Sequence, residues 1–364
     1  MVTLFLCGDV MTGRGVDQIL PHPGEPEIFE PYVSDAREYV ALAERASGPI
    51  PRAVAPEYIW GDALEELARA GPDARIINLE TSVTTSADSW WGDGINYRMH
   101  PDNVACLTSA RVDVSVLANN HVLDHGYAGL EETLDILTAA GLKTAGAGRN
   151  IAEAHRPAII DLPGDCRVVV FAFGTPSSGI PFGWGAAPDR AGIDFLGDLS
   201  TSTADAVVQR VGRVKRRGDV VVASIHWGSN WGYKVPRAQV RFAHRLIDGG
   251  VDLVHGHSSH HPRPIEVYRG KLVLYGCGDF IDDYEGIPGF EAFRADLVLL
   301  YLPTVDPRNG QLLRLRMTPM RIRKMRLNRA SAEEAQWLRH TVRRISAQFG
   351  TGVDMAPDGA LVLR

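Results

Sequence analysis

No run of 18 or more apolar residues occurs anywhere in the 364-residue sequence, so no segment reads as a transmembrane helix. The opening Met1-Val-Thr-Leu-Phe-Leu-Cys-Gly-Asp9 has no basic residue ahead of a short apolar stretch. It does not read as a signal peptide, and the expectation is a cytoplasmic protein. Cysteine is scarce and scattered. Cys7, Cys106, Cys166 and Cys277 form no CxxC pair, which argues for buried reduced thiols against a disulfide framework or a thiolate zinc site. Lysine is scarcer than its partner cation, five against 33 arginines, a bias read as that of a GC-rich genome and not as chemistry. Positive charge is not in surplus, because the formal net charge is −6. No global field draws nucleic acid or anionic lipid, and neither is expected as a partner. The basic run Arg321-Ile-Arg-Lys-Met-Arg326 is isolated and reads as a solvated face. Internal repeats, heptads and low-complexity tracts are likewise missing.

What is present is ordinary globular composition, 45% hydrophobic and 23% charged. Short β-branched runs alternate with amphipathic helical stretches, the signature of an α/β fold. Strands are expected at Val2–Cys7, Arg75–Asn78, Val112–Ala118, Arg167–Phe173, Asp219–Ile225 and Val251–His255, with a hairpin from Ile265–Tyr268 and Leu272–Tyr275 around Arg269-Gly270. Helices are expected over Glu57–Arg69, along Leu130, Leu134 and Leu137, between Pro236 and Gly249, and from the capping box Ser331-Ala-Glu-Glu334 to about Gln348. Residues 21–56 and 175–199, rich in proline and glycine, read as loop insertions, the first of them as a surface insertion or lid. The expected organisation is one domain over 1–315 carrying those two insertions, with 316–364 as a C-terminal extension packed on it.

The polar signals cluster just after strands: Gly8-Asp9, Asn78-Leu-Glu80, Asn119-Asn-His121, His226-Trp-Gly228 and His255-Gly-His-Ser-Ser-His-His261. Ligands bind open α/β sheets outside the carboxyl ends of strands, so five such elements converge on one site. Singly each has a plain structural reading, a turn, an Asx-turn or a hydrogen-bonded core histidine. Together they offer carboxylate, amide and imidazole ligands, a set suited to Mn, Fe, Zn or a similar divalent ion, and one carboxylate could bridge two of them.

Gly8-Asp-Val-Met-Thr-Gly-Arg14, Asn78-Leu-Glu-Thr81, Ala118-Asn-Asn-His-Val-Leu-Asp124 and Gly126-Tyr-Ala-Gly-Leu130 resemble the CapA capsule-synthesis family of the calcineurin-like metallophosphatase superfamily. The likeness continues through Ala145-Gly-Ala-Gly148, His226-Trp-Gly228, Leu246-Ile-Asp-Gly-Gly-Val-Asp252 and Tyr275-Gly-Cys-Gly-Asp-Phe280, and so runs from Met1 to about Asp283. It implies a four-layer αββα metallophosphatase-like sandwich with two divalent metal ions at one sheet edge. Carried over by position, Asp9, Glu80, Asn120, His226, His257 and His260 would hold the metals, with Glu80 bridging. His121 would be the acid–base residue, Asp9 and His260 would share proton transfer, and Arg14 would anchor a substrate anion. Two departures stand out: Met11 sits where the superfamily's Asp-x-His has its histidine, and the family's His-His-Pro-His reads His257-Ser-Ser-His260. The choice of ligands among His255, His257, His260 and His261 stays open.

Polyglutamate-export members carry an N-terminal membrane anchor, and the chain starts directly in its first strand, so the expectation is a soluble member. Some of these resemble epimerases of lasso-type peptides, and the expected function is metal-dependent acid–base epimerisation at the α carbon of a peptide residue. The alternatives are a metal-dependent phosphoesterase or peptide hydrolase, a capsule or poly-γ-glutamate protein, or a metal-stabilised binding protein. The expected partner is a peptide or small molecule. Trp90, Trp91, Trp184, Trp227 and Trp231, with Tyr97, Phe182 and Tyr233, fall in expected loops, where they either line an apolar site or plug the loops onto the core.

Overall fold

The computed structural model describes residues 1–90 and 94–364. Trp91 lies outside them. Two sheets carry the architecture. The larger has ten strands, running in order Val353–Met355, Leu361–Leu363, Gln311–Ile322, Leu297–Asp306, Val2–Val10, Ala74–Leu79, Val114–Val116 and Lys143–Ala145, with Asp279–Ile281 beside Val2–Val10 and Leu327–Arg329 beside Gln311–Ile322. The smaller has six, in order Ile265–Tyr268, Lys271–Leu274, Leu253–His257, Asp219–His226, Cys166–Gly174 and Ala158–Leu162.

Period-two alternation shows how the sheets stack. In Cys166–Gly174, Val168, Val170 and Ala172 belong to one core together with Leu4, Leu6 and Ile76 of the larger sheet. The intervening Val169, Phe171 and Phe173 belong to a second core with Val207 and Val211 of helix Thr201–Val214 and Phe242 and Leu246 of helix Arg237–Asp248. The smaller sheet is therefore apolar on both faces, one against the larger sheet and one against helices. Leu67 of helix Ala63–Ala70 and Leu130, Leu134 and Leu137 of helix Gly126–Ala139 are buried in the first core as well. The mixed α/β fold is thus a layered metallophosphatase-like arrangement, with the helices outside and two sheets within.

Strand pairing fixes the location of the site. Val2–Val10, Ala74–Leu79 and Val114–Val116 run parallel, as do Cys166–Gly174, Asp219–His226 and Leu253–His257. Their carboxyl ends bring Asp9, Glu80, Asn120, His226 and His257 to the same rim.

Three local features differ from the sequence expectation. The helix expected over Glu57–Arg69 is split into a 3-10 turn at Tyr58–Trp60 and helix Ala63–Ala70. Gly61, between them, has φ +45°, and a Cβ there would lie 2.1 Å from the Leu327 carbonyl oxygen. Residues 21–56 contain helix Arg37–Ser47, and in 175–199 the short strand Gly192–Ile193 pairs with Ala147–Gly148. A long hairpin, Leu297–Asp306 with Gln311–Ile322, adds two central strands to the larger sheet, and the second of them runs across residue 315. No helix among the described residues is long and apolar enough to cross a membrane.

Candidate metal centre

Asp9 is the last but one residue of its strand and is fully buried. Its carboxylate accepts from Asn78 Nδ2 at 2.7 Å and from the Ser258 N–H at 3.1 Å. Ser258 has φ +98°, a left-handed conformation that a residue with a Cβ rarely takes, and that turn aims its N–H at Asp9. The second Asn78 N–H reaches Glu80 Oε2 at 3.2 Å, and Asn119 donates to Asn78 Oδ1 at 3.1 Å. The two asparagines thus hold both carboxylates in place. Glu80 Oε1 is left facing His121 Nε2 and His226 Nε2, each at 3.8 Å.

The histidines sort by the protons they carry. The Cys7 carbonyl can only accept, so His255 Nε2, 2.7 Å away, carries a proton. Burial pushes the His255 pKa down to about 4, so the ring is neutral and Nδ1 is a lone pair. Ser224 Oγ, 3.0 Å from that lone pair, gives it its only hydrogen. Ser224 must then accept from His257 Nε2 at 2.9 Å, which leaves His257 Nδ1 unprotonated. That bare nitrogen lies 3.8 Å from Asp9 Oδ1 and 2.8 Å from His226 Nδ1. His226 Nε2 in turn faces Asn120 Oδ1 at 2.6 Å.

One ligand atom each from Asp9, His226 and His257 lies within 4.8 Å of the others. Two atoms bonded to one ion at about 2.0–2.2 Å stand no more than about 4.4 Å apart, so the 3.8 Å gaps fit. Burial holds the His226 and His257 pKa values well below the usual imidazole range, and neighbouring imidazoles add to it. Burial, then Asp279, pushes Asp9 up to about 7, and burial, then Asp9, drives Glu80 well above the carboxylate range. Neutral imidazoles and crowded, desolvated carboxylates make up a donor set that fits a divalent cation.

His121 stands at the edge of this cluster. Its Nδ1 is 2.7 Å from Asp124 Oδ2, which also accepts from the Tyr97 N–H at 2.7 Å. The Tyr97 ring packs edge-on against the imidazole at 4.5 Å. His260 has a similar brace, with Nδ1 2.9 Å from Asp279 Oδ1 and Nε2 3.0 Å from Asn230 Nδ2. Both histidines line a cavity of about 280 Å³ with Glu80, Asn120, Asn230, Ser258 and Tyr284.

Of the residues expected at the site, Asp9, Glu80, Asn120, His121, His226 and His257 come together. His260 faces the same cavity with both ring nitrogens engaged by Asp279 and Asn230. His255 is internal to the Cys7–Ser224 relay, and His261 accepts from the Gly232 N–H at 3.0 Å. Arg14 is elsewhere. Its guanidinium is clasped by Asp283 and Glu30 and packed 3.6 Å over the Tyr39 ring, so its donors meet carboxylates of the chain itself. None of the described indoles is among the residues lining the cavity, although Trp231 packs against the His260 ring at 5.3 Å. Trp184 and Trp227 are fully buried, Trp90 packs edge-on against Trp184, and Trp231 stacks on Phe290 at 4.0 Å. Sequence reasoning missed Asn78, Asn119, Asp124, Ser224 and Asp279 as parts of the site. Four of these sit inside the motifs already singled out, and Ser224 is a lone hydroxyl in an apolar strand.

A family profile described as "Bacterial capsule synthesis protein PGA_cap" matches residues 3–284. The chain belongs to this CapA family. Its motif residues are the ones that converge above, and the family lies in the metallophosphatase-like superfamily. This CapA-family chain is 51% identical over 362 residues to a Mycobacterium tuberculosis protein named "Probable polyglutamine synthesis accessory protein", covering 99% of the chain and 95% of the relative. It is 26% identical over 277 residues to the Bacillus subtilis PGA biosynthesis protein CapA, covering 76% of the chain and 62% of that relative. The Bacillus anthracis capsule biosynthesis protein CapA is also 26% identical, over 286 residues, with 78% of the chain and 60% of the relative covered.

Proposed function

We propose that this CapA-family protein is a metal-dependent hydrolase that acts on a glutamate-rich chain in capsule-type polymer synthesis. The observation that carries the reading is the convergence of Asp9, His226 and His257 within 4.8 Å, with Glu80 beside them and a braced histidine at the cavity edge. The names of the relatives favour a capsule-related role over the epimerisation of a peptide natural product.

Divalent ions held there would polarise a substrate oxygen and acidify a water molecule. The residues that would hold them are Asp9, Glu80, Asn120, His226 and His257. The Asn119–Asn78 chain fixes the carboxylates, and the Ser224–His255 relay fixes the lone pair of His257. Asp124 binds His121 Nδ1, so Nε2 points toward Glu80 and the cavity. There it can hand a proton to a leaving group. No lysine or arginine is among the described residues lining the cavity, so an anionic substrate would rest on the metals and on His121 and His260.

A second reading, epimerisation at an α carbon, draws on the two carboxylate-braced imidazoles, His121 and His260, which face one cavity and could serve as base and acid. Both readings meet one experiment. Metal-loaded protein is incubated in deuterated water with glutamate oligomers and with bis-p-nitrophenyl phosphate. Cleavage of either supports the hydrolase, and carbon-bound deuterium without cleavage supports the epimerase. Neither outcome with a fully loaded protein leaves a binding role and overturns the proposal.

A further inference from the structure

The described lining of the cavity offers an acidic chain no lysine or arginine, yet cations stand just outside it. Residues 316–364 hold ten lysines and arginines against four aspartates and glutamates, a surplus of six positive charges in a chain whose formal net charge is −6. They also lie beyond residues 3–284, the stretch that the family profile matches. Most of these cations are paired: Arg316 with Asp358, Arg321 with Glu334, Arg326 with Asp62 and Arg343 with Asp354. Arg344, in the last turn of helix Ala332–Ser346, is exposed and has no carboxylate partner among the described residues. Its guanidinium lies over the Tyr233 ring, 5.2 Å from the centroid.

That ring belongs to a segment that reaches the cavity. Asn230 lines the cavity and donates to His260 Nε2, and Trp231, Tyr233 and Lys234 follow it. The buried guanidinium of Arg263 donates to the Ser229 carbonyl at 2.7 Å and to the Lys234 carbonyl at 3.4 Å, so both ends of the segment are pinned. From the cavity outward, the rings of His260, Trp231, Phe293 and Tyr233 and then the Arg344 guanidinium follow one another at steps of 5.2–5.4 Å. An extended chain of about six residues covers that distance. Lys234 and Arg237, one and four residues after Tyr233, are exposed as well, and neither pairs with a carboxylate among the described residues. The one carboxylate in the neighbouring segment Phe290–Arg294 is Glu291, whose side chain accepts from the Gly289 N–H at 2.9 Å.

We propose that Arg344, Lys234 and Arg237 form a binding site beside the cavity for an acidic polypeptide, holding its carboxylates while a residue further along the same polypeptide enters the cavity. The inference rests on the glutamate-rich substrate proposed above and says where the rest of that substrate lies. Arginine grips a carboxylate through two parallel N–H donors, and Lys234 adds a point charge. Trp231 stacks on Phe290 at 4.0 Å and Phe293 on His261 at 4.7 Å, so these ring faces are engaged within the cluster and are not free to hold a nucleobase. The surface therefore suits a carboxylate chain better than single-stranded nucleic acid.

The test is binding, read apart from turnover. A fluorescein-labelled glutamate decamer, long enough to span from the cavity to Arg344, is titrated with the metal-free whole chain at low and at physiological salt and followed by fluorescence anisotropy. The wild type should bind at low salt and lose affinity as salt rises. Arg344→Gln, Lys234→Gln and Arg237→Gln should each weaken binding about 2–5-fold, and the triple variant about 10-fold or more. All three side chains are exposed, so the melting temperature and the Zn²⁺ content should match those of the wild type. Arg314→Gln removes another exposed arginine, beside Thr3 at the opposite end of strand Val2–Val10 from Asp9, and should leave binding unchanged. A wild type that does not bind the decamer, a triple variant that binds it as the wild type does, an equal loss in Arg314→Gln, or a thymidine decamer bound as tightly each overturns the inference. Cleavage of glutamate oligomers by the metal-loaded protein decides the hydrolase reading separately: cleavage with unaltered binding in the triple variant overturns this site alone, and a decamer held by these cations but never cut overturns the hydrolase alone.

Discussion

Ser224 lies 2.9 Å from His257 Nε2 and accepts its proton, which leaves the other ring nitrogen, Nδ1, as a lone pair facing Asp9. The tautomer of a candidate metal ligand is thereby set by a chain of hydrogen bonds that begins at the Cys7 carbonyl, two residues before Asp9. Second-layer contacts of this kind change metal affinity by about 10–100-fold when removed. Ser224→Ala is therefore expected to weaken Zn²⁺ binding by that factor, measured by competition with a chelator. The fold should survive, at a cost of about 1–3 kcal/mol for the acceptor left unsatisfied on His255, read from denaturant unfolding. Unchanged affinity would remove the relay from the account of the site.

His121 and Glu80 should separate chemistry from binding. The imidazole of His121 faces the cavity and is braced by Asp124, so His121→Asn is expected to lower turnover by about 10²–10⁴-fold while metal content stays close to that of the wild type. Glu80→Ala should do the reverse in order, losing metal first and activity with it, because Glu80 Oε1 faces two imidazoles across 3.8 Å gaps with no donor between. Elemental analysis beside single-turnover rates checks both. A His121→Asn protein with full activity would move the acid–base role elsewhere, with His260 the next residue to test.

Much of this site was legible in the sequence because its ligands sit at the ends of strands that period-two patterning makes visible. Asp9, Glu80, Asn120, His226 and His257 each follow a β-branched run, and parallel pairing then brings them to one rim. The partners that orient them were harder to see, since orientation depends on which nitrogen faces which oxygen across strands distant in the chain. Ser224 and His255 meet only because Asp219–His226 and Leu253–His257 pair in register. The partners of Arg14 were out of sight for the same reason, because nothing in the sequence says that Glu30 and Asp283 meet its guanidinium. In the fold, the hairpin Leu297–Asp306 with Gln311–Ile322 escaped notice. Each strand contains a proline, Pro303 and Pro319, of the kind that argues against a central strand, although the flanking pairs Leu302 with Arg316 and Thr318 with Leu300 are intact.

The contact between Gly8 and Gly278 gives a sharper test of the strand pairing beneath the site. A Cβ on Gly8 would lie 1.7 Å from the Gly278 carbonyl oxygen, which is backbone and cannot swing aside. Gly8→Ala should therefore force the Asp279–Ile281 strand away from Val2–Val10, with a loss of stability of about 3 kcal/mol or more and a loss of metal binding. Thermal melting and metal titration check it together. A variant that folds with wild-type stability and binds metal normally would show that Asp9 and Asp279 are not held in register by this contact.

Acid should destabilise the protein in a defined window. Burial pushes His125 and His255 down to about 4, from an ordinary value near 6.5 in the unfolded chain. For a base whose folded pKa is depressed, the unfolded chain binds the extra proton between the two values. The stability is fully present above pH 6.5 and is lost as the pH falls from 6.5 toward 4, by about 1 kcal/mol per pH unit for each histidine. Asp9, pushed up to about 7, has the opposite sign in the metal-free protein, because the folded state holds the proton as the pH falls below 7. A bound cation keeps Asp9 ionised, so the metal-loaded protein should lose stability with acid more steeply than the metal-free one. His125 isolates the histidine contribution: its Nδ1 donates to the Asp88 carbonyl at 2.8 Å, a bond that His125→Gln can keep while removing the titrating group. Urea unfolding at pH 7.5, 6.5, 5.5 and 4.5 should show a shallower acid slope in His125→Gln than in the wild type, and equal slopes would mean that His125 does not titrate on unfolding.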